Sequence, residues 1–454
     1  MRGNYRMLSQ SDNELLTRVS PGTPMGELMR RYWIPAVLSS EVDAEGIPHR
    51  TRLLGEDLLV LRLTSGQATT MSPLCPHRGA SLFFGRNEEE GIRCVYHGWK
   101  FDAHGLCVDM PSEPPESNFK NKVSIKAYAT RERNGVIWIY MGPNQVSPPE
   151  LPDLQWNLVP ENQCYLSKRV AQNNYMQAME GEIDSSHSSF LHSRFVDPFA
   201  GTERTGGTQQ QGLVYKMKDR HPRFQVLDND YGVLIGARRN AEENSYYWRI
   251  TQFLYPFHTI IPPYGENPAF SGHAWIPMDD HHTMALCFTY HPTESLTTKM
   301  TKGLKNGPRV GQEGLHPTVN VFLPYSTKPE GNWWPKHNID NDFNVNWEVQ
   351  KEIQYTGLPG TWVQDSGMQE TMGTLVDRTN EHLGTSDTAI IRTRRALLQS
   401  AKALYDQGIE PISAHDPRGY NVRSAALVLD HSTDWIQGSE YFRKAASKIN
   451  YSAV

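Results

Sequence analysis

The chain has no run of apolar residues near the ~20 that a membrane span requires. No apolar core follows Met1-Arg2-Gly3-Asn4-Tyr5-Arg6 either, so no secretory leader is expected and the sequence reads as soluble and cytoplasmic. Cysteine is scarce. Five of them, an odd number without regular spacing, exclude a disulfide framework and leave thiols for metal, with Cys107, Cys164 and Cys287 read as plain core or surface residues. An excess of one charge is lacking too: 45 Lys and Arg against 50 Asp and Glu give a net charge of −5, which offers no general attraction to nucleic acid or an anionic membrane. No internal repeat is visible. A nicotinamide or flavin fingerprint is missing, because Gly201-Thr202-Glu203-Arg204-Thr205-Gly206-Gly207 lacks the strand before and the helix after that such a motif needs. Any redox chemistry here would draw its electrons from another polypeptide.

What is present centres on Met179-Glu180-Gly181-Glu182-Ile183-Asp184-Ser185-Ser186-His187-Ser188-Ser189-Phe190-Leu191-His192. Asp184, His187 and His192 form a D-x2-H-x4-H array, two imidazoles and a carboxylate, the donor inventory of a non-haem iron with positions left open for oxygen and substrate. Asp184 and His187 share a helix face, whereas residues five apart lie about 140° round an ideal helix. A helix over about 174–187 is therefore expected to loosen or end near Ser188, as in a π-type widening, so that both rings reach one ion. A solvated or hydrogen-bonded histidine pair is the plainer alternative.

A second pair of motifs raises the stakes. Cys75-Pro76-His77-Arg78-Gly79 and Cys94-Val95-Tyr96-His97-Gly98-Trp99 each bring one cysteine and one histidine. Structural zinc modules pair Cys with Cys and His with His within each half, and C-x-H is short for their knuckles. Mixed halves suit a Rieske [2Fe–2S] cluster, with both thiolates on one iron and both imidazoles on the other. A glycine just past each histidine fits backbone closing tightly round sulfur.

These motifs resemble those of the oxygenase (α) subunits of Rieske non-haem iron aromatic-ring hydroxylating oxygenases, in the branch with phthalate dioxygenase and aromatic O-demethylases. The likeness runs from Gly22-Thr23-Pro24-Met25-Gly26-Glu27-Leu28-Met29-Arg30-Arg31-Tyr32-Trp33 to the helix around Ile391 and includes Gln364-Asp365-Ser366-Gly367-Met368-Gln369-Glu370. It implies an α+β fold: an all-β Rieske domain and a catalytic domain in which helices flank an antiparallel sheet, a helix-grip arrangement. It implies that Cys75, His77, Cys94 and His97 hold the cluster, that His187, His192 and Asp365 hold a mononuclear Fe(II), and that Asp184 links an iron histidine to the cluster across the subunits of a homotrimer. By spacing alone Asp184 stays open as a ligand, with Glu180, Glu182 and Glu370 next in line. The resemblance further implies an aromatic carboxylate as substrate, ring hydroxylation or O-demethylation as reaction, and a reductase with flavin and a plant-type [2Fe–2S] centre that oxidises NADH or NADPH. A non-catalytic electron carrier and a zinc-organised interaction protein are the competing classes.

Taken in order, the chain predicts a short helix at 11–19 capped by Ser11 or Asp12, a helical turn at 25–31, and a strand-rich region from Trp33 that closes on the β-prone run 135–141. The proline-dense stretch from Gly142 to Pro160 is the candidate linker, which gives residues 1–31 as an N-terminal helical segment, 32–145 as the Rieske domain and 146–454 as the catalytic domain. Strands are expected at 213–217, 223–227, 232–237, 246–254, 274–277 and 283–290, with a hairpin turn at 228–232. Residues 299–347 show little periodicity and read as a lid, an interface arm or a surface insertion. Ser386-Asp387 should cap an amphipathic helix at 390–404, whose Arg392, Arg394 and Arg395 are read as a solvated face or a reductase dock. In the run 246–253, alternation puts Arg249 on one face with Tyr247, Thr251 and Phe253. There it is either the anchor of an acidic substrate or half of an ordinary ion pair.

Overall fold

The computed structural model describes residues 8–195, 208–265, 267–306, 321–331 and 333–445. The opening residues 1–6, the glycine pattern at 201–207 and the middle of the 299–347 segment lie outside the described residues. Helices α1 (Gln10–Thr17) and α2 (Pro24–Arg30) come first. Ser9 caps α1, its side chain accepting from the N–H of Asp12, so the helix starts earlier than a Ser11 or Asp12 cap would have it. Thr23 caps α2 ahead of Pro24, whose missing N–H costs nothing in a first turn.

Next come strands β1 (Trp33–Leu38), β2 (His49–Leu53), β3 (Glu56–Arg62), β4 (Ala68–Met71), β5 (Arg86–Glu88), β6 (Gly91–Arg93), β7 (Lys100–Asp102), β8 (Cys107–Asp109), β9 (Ala127–Arg133) and β10 (Val136–Tyr140). They form a six-stranded antiparallel sheet in the order β1-β10-β9-β4-β3-β2 and a four-stranded sheet in the order β5-β6-β7-β8. Every side chain of the Val-Ile-Trp-Ile-Tyr strand β10 is buried, which suits its place between two partners. The smaller sheet shares an apolar core with Leu59, Leu61 and Met71, and both Cys75 and Cys94 lie in that core.

After α3 (Gln155–Leu158) the chain builds a second, eight-stranded sheet from β11 (Cys164–Ala171), β12 (Arg223–Asn229), β13 (Gly232–Asn240), β14 (Ser245–Leu254), β15 (His258–Ile261), β16 (Phe270–Pro277), β17 (Thr283–Tyr290) and β18 (Ala425–Asp430). The order is β11-β17-β16-β15-β14-β13-β12, all antiparallel, with β18 paired to β14. Helices α4 (Tyr175–Ile183), α5 (Thr208–Lys218), α6 (Thr298–Asn306), α7 (Trp347–Glu352), α8 (Thr361–Thr371), α9 (Thr388–Gln407) and α10 (Trp435–Arg443) accompany it. Of these, α4 packs on β15 and β16, while α9 packs on β12 and β13. This is the α+β architecture the motifs implied. The two large sheets share one core: Trp138 stacks on Trp156 at 5.6 Å and Trp156 on Phe288 at 5.1 Å.

Besides the cap of α1, four expectations differ from the structure. Residues 213–217 belong to helix α5, not to a strand; Lys216, Met217 and the preceding glutamines are straight-chain helix formers, and their short alternation is not strand pairing. The helix that carries the iron motif ends at Ile183, and His187 lies in a separate 3-10 turn, His187–Ser189, so no π-type widening is involved. Helix α9 starts at Thr388 without a side-chain cap, because the Asp387 carboxylate accepts from the N–H of Gly384 at 2.6 Å instead. Its arginines are no uniform solvated face: Arg394 is buried between Glu180 and Glu381, Arg392 pairs with Asp228, and Arg395 is exposed. Of the 299–347 segment, the described part from 321 is a strap, in which Trp333 donates from Nε1 to Glu41 at 2.6 Å and accepts from the N–H of Val170 at 2.9 Å.

Candidate metal centres

The Cys75 loop lies between β4 and β5 and the Cys94 loop between β6 and β7, and the two repeat one backbone pattern. Cys75 N–H donates to Ala80 O at 2.8 Å and Gly79 N–H to Cys75 O at 2.9 Å; Cys94 N–H donates to Trp99 O at 2.8 Å and Gly98 N–H to Cys94 O at 2.9 Å. Each turn closes through a glycine in the left-handed region, φ 76° at Gly79 and 79° at Gly98, where a β-carbon is strained. The pairing of the loops puts like with like. The Cys75 and Cys94 thiols are neighbours, and burial first, with that neighbour, pushes the Cys75 thiol up to about 11. The His77 and His97 rings meet edge to face, 4.3 Å between centroids, with His77 stacked on Trp99 at 4.4 Å. His77 Nδ1 is buried with no hydrogen-bond partner. Two neighbouring thiols, two neighbouring imidazoles and a buried, unpartnered nitrogen on one of those rings fit a two-iron cluster. They do not fit one zinc, since among the described residues these four side chains form no group of donors within 4.8 Å of one another.

His187, His192 and Asp365 do form such a group. His187 Nε2 lies 3.2 Å from His192 Nε2 and 3.5 Å from Asp365 Oδ1, and His192 Nε2 lies 3.3 Å from the same oxygen. Sides of that length are what ligands about 2 Å from a shared ion keep between themselves. The termination of α4 makes this possible: Asp184, extended, turns the chain into the 3-10 turn of His187, and Asp365 arrives from the second turn of α8. Each ring is oriented from behind. Asp184 Oδ2 lies 3.4 Å from His187 Nδ1, an ion-pair distance at which that buried nitrogen makes no hydrogen bond. Burial disfavours the Asp184 charge, but His187 and the N–H groups of Ser186 and His187 outweigh it and hold the carboxyl below the ordinary range. His192 Nδ1 meets Gln364 Oε1 at 2.7 Å, and the Gln364 amide cannot turn over, because its Nε2 donates to Gln354 Oε1 and to Leu358 O, both at 3.2 Å. The Nδ1 of His192 therefore carries the proton and its Nε2 keeps the lone pair for metal.

The other carboxylates are engaged elsewhere. Glu180 pairs with Arg378 and Arg394; Glu182 takes His273 Nδ1 at 2.6 Å and Trp275 Nε1 at 2.9 Å; Glu370 accepts from the N–H of Gln172 at 3.2 Å. Burial lifts the Glu370 carboxyl to about 7.

Arg249 occupies the sheet face that looks at the iron loop. Arg239, opposite Tyr247 across β13 and β14, shares that face and donates to Ser185 O at 2.9 Å and to Ser189 Oγ at 3.4 Å. The Arg249 guanidinium stacks 4.5 Å from the Tyr264 ring and donates to Tyr247 Oη at 3.4 Å and Pro262 O at 3.2 Å. Among the described residues it has no carboxylate partner. Lys216 Nζ lies 3.5 Å from Tyr264 Oη, and its pKa is lowered by burial and by the positive charges of Arg249 and Arg239. Lys216, Arg239, Tyr264, Gln354 and Gln364 were not singled out from the sequence. Only Gln364 carried a signal, as the neighbour of Asp365.

Residues 32–129 match the model of the Rieske [2Fe-2S] domain, and residues 139–451 match a family described as LigXa C-terminal domain like. The 3-chlorobenzoate-3,4-dioxygenase oxygenase subunit of Comamonas testosteroni is 39% identical over 94% of this chain and 97% of its own. The phthalate 4,5-dioxygenase oxygenase subunit of Pseudomonas putida is 37% identical over 94% of each. The 5,5'-dehydrodivanillate O-demethylase oxygenase subunit of a Sphingobium species is 30% identical over 89% of this chain and 83% of its own. In fold, the chain is similar to the oxygenase in the reduced oxygenase–ferredoxin complex of carbazole 1,9a-dioxygenase, with a TM-score of 0.54 at 18% identity over 89% of this chain and 97% of that one.

Proposed function

The chain belongs to the Rieske non-haem iron oxygenases as an oxygenase subunit, and from that premise we propose that it oxidises an aromatic carboxylate by ring hydroxylation. The observation that carries the substrate class is Arg249: a guanidinium without a carboxylate partner among the described residues, beside Lys216 and Arg239, on the face that looks at the iron loop. An arginine so placed can grip a carboxylate through two parallel hydrogen bonds, and the neighbouring cations favour an anion over a neutral ring. A second reading, O-demethylation of a methoxylated aromatic acid, is supported by the likeness to the dehydrodivanillate O-demethylase subunit.

When bound, the Rieske cluster supplies electrons one at a time and the mononuclear iron supplies the place where dioxygen is reduced beside the substrate. For the chain itself we assign Cys75, His77, Cys94 and His97 as the cluster's ligands and His187, His192 and Asp365 as those of the mononuclear iron. Asp184 beside His187 Nδ1 and Gln364 at His192 Nδ1 would leave both Nε2 atoms for the metal. Tyr264 and Tyr247 stack on and bond to Arg249 and fix its direction.

We further assign residues 1–31, 32–145 and 146–454 as N-terminal segment, Rieske domain and catalytic domain. The working form is a homotrimer in which Asp184 of one subunit meets His97 of the next. Two exposed apolar patches support that assembly: Leu74, Val95 and Tyr96 at the cluster loops, and Phe190, Phe195 and Tyr355 by the iron. The electron donor is a separate protein, a reductase with flavin and a plant-type [2Fe–2S] centre using NADH or NADPH, and the compartment is the cytoplasm. All five cysteines are free, and among the described residues no helix is long and apolar enough to cross a membrane.

The deciding experiment is a panel of phthalates, chlorobenzoates and methoxylated aromatic acids, followed by NADH consumption and product mass, on the native protein and on Arg249→Gln. The best acid should show a KM raised at least about 10-fold by the substitution. An unchanged KM for that acid would remove Arg249 as the anchor.

A further inference from the structure

Burial pushes on the thiols of all three cysteines outside the cluster motif, and in two of them it prevails. Cys164 is pushed up to about 12, and Cys107 is raised as well. Cys287 differs in what stands around it. It is opposite His273 in the β16–β17 pair, so the two side chains lie side by side on one face with the imidazole near enough to act on the thiol, whose own hydrogen bond goes to Ala285 O at 3.8 Å. The other ring nitrogen, Nδ1, lies 2.6 Å from Glu182 Oε1, and that carboxylate is itself fixed by Trp275 Nε1 at 2.9 Å and by Thr259 Oγ1. A thiol, an imidazole beside it across the strand pair and a carboxylate that orients the imidazole make the constellation of an activated nucleophile.

The groups around this row are cationic and aromatic. Arg169 from β11 lies diagonally across the sheet, its guanidinium 4.8 Å over the Trp362 ring of α8, and Tyr165 lies on the same face as Arg169. Glu182 comes from α4 and acts on the thiol through His273. Burial disfavours a charged His273, yet Glu182 first and Cys287 after it outweigh burial and lift the ring to about 10. Burial likewise pushes the Cys287 thiol up, and His273 with Arg169 more than offsets it, leaving Cys287 below the ordinary cysteine value. The residue is partly exposed rather than sealed in the core.

We propose that Cys287 is a reactive thiolate on the iron-facing side of the sheet and a site of oxidation by hydrogen peroxide. An enzyme that reduces dioxygen meets this oxidant whenever two electrons and two protons reach O2 without oxygen transfer to substrate. The thiolate sulfur attacks one peroxide oxygen, an S–O bond forms as the O–O bond breaks, and the sulfur is oxidised by two electrons. The proton on the His273 nitrogen facing the thiol passes to the departing hydroxide, which leaves as water, and the product is a sulfenic acid that a small thiol reduces back. Glu182 keeps the ring aimed throughout.

The test uses the metal-loaded protein. Iodoacetamide labelling at pH 6.5, read by peptide mass spectrometry, should modify Cys287 at least about 10-fold faster than Cys107 or Cys164, because only the thiolate reacts. Hydrogen peroxide with dimedone should then leave its adduct on Cys287, and dithiothreitol added before dimedone should remove it. The comparison among cysteines of the native protein needs no variant. His273→Asn adds a second arm: where the variant retains the native circular dichroism, labelling of Cys287 at pH 6.5 should fall to the rate of Cys164. Equal labelling of all three cysteines in the native protein, or a dimedone adduct elsewhere but not at Cys287, overturns the proposal.

Discussion

At the proposed cluster site, two short loops repeat one hydrogen-bond pattern, and each brings its own cysteine and histidine within three or four residues. At the proposed iron site, one histidine comes from a 3-10 turn, a second from the turn after it, and the carboxylate from a helix far along the chain. The cluster site is therefore built by local backbone geometry, and sealing it needs little beyond an apolar floor. The iron site is built by docking α8 against α4. Its ligand directions depend on residues behind the ligands: Asp184 for one ring, and the Gln364–Gln354 pair for the other. A locally built site should fail all at once when a ligand is lost, and a docked site should fail by degrees as its supports are removed.

The largest effect separates the two sites outright. Cys94→Ala should abolish the visible and electron-resonance signals of the cluster and all turnover while iron stays at the mononuclear site. Asp365→Ala should keep those signals and lose mononuclear iron and turnover. Cross-loss, in which either substitution empties both sites, would show that the two are not independently built. Next is Asp184→Asn, which keeps the shape but removes the charge behind His187. Both metals should remain, and electron delivery to iron, measured as cluster reoxidation in a single turnover, should slow at least about 100-fold. Loss of mononuclear iron instead would falsify the bridging role and make Asp184 a ligand.

Removing the support behind His192 should do less. Gln364→Leu should weaken iron binding by about 10–100-fold in a chelator competition, with the cluster signal untouched, and Gln364→Glu, which still accepts from Nδ1–H, should restore most of it.

Glu370 sharpens the comparison within one helix. It is five residues beyond Asp365 on α8, but burial lifts its carboxyl to about 7 instead of leaving it ionised for metal. A folded-state value above the unfolded one means that stability is fully present below about 4.5 and is lost as pH rises through 7. Glu370→Gln should therefore raise Tm at pH 8 and leave it little changed at pH 5, the difference corresponding to at most about 3 kcal/mol. A variant with the same Tm offset at both pH values would mean that the carboxyl is ionised throughout.

The smallest effects test the likeness of the two cluster loops. Both glycines are left-handed, but a β-carbon at Gly98 would come 2.6 Å from Pro111 Cγ while one at Gly79 meets nothing within 4 Å. Gly79→Ala should cost about 1 kcal/mol and Gly98→Ala about 2–3 kcal/mol of cluster-loaded stability in denaturant unfolding. Equal costs would mean that Pro111 yields.

The sequence by itself determined the cluster motif, the histidine pair, the candidate carboxylate and the strand-rich and mixed halves of the chain. Those features are carried by residue type at short spacing or by period-two runs such as Val136–Tyr140. Tertiary structure decided the rest. Whether α4 unwinds into a π-type turn or stops at Ile183 depends on what receives Asp184, and whether 213–217 is a strand depends on whether a neighbour offers it an edge. The basic run of α9 looked uniform along the chain, yet one of its arginines is buried because Glu180 and Glu381 close round it from two other segments. The same holds for Cys287, which is an ordinary cysteine in one dimension. Its chemistry arises from strand register, which places His273 beside it, and from the docking of α4, which sets Glu182 behind that ring.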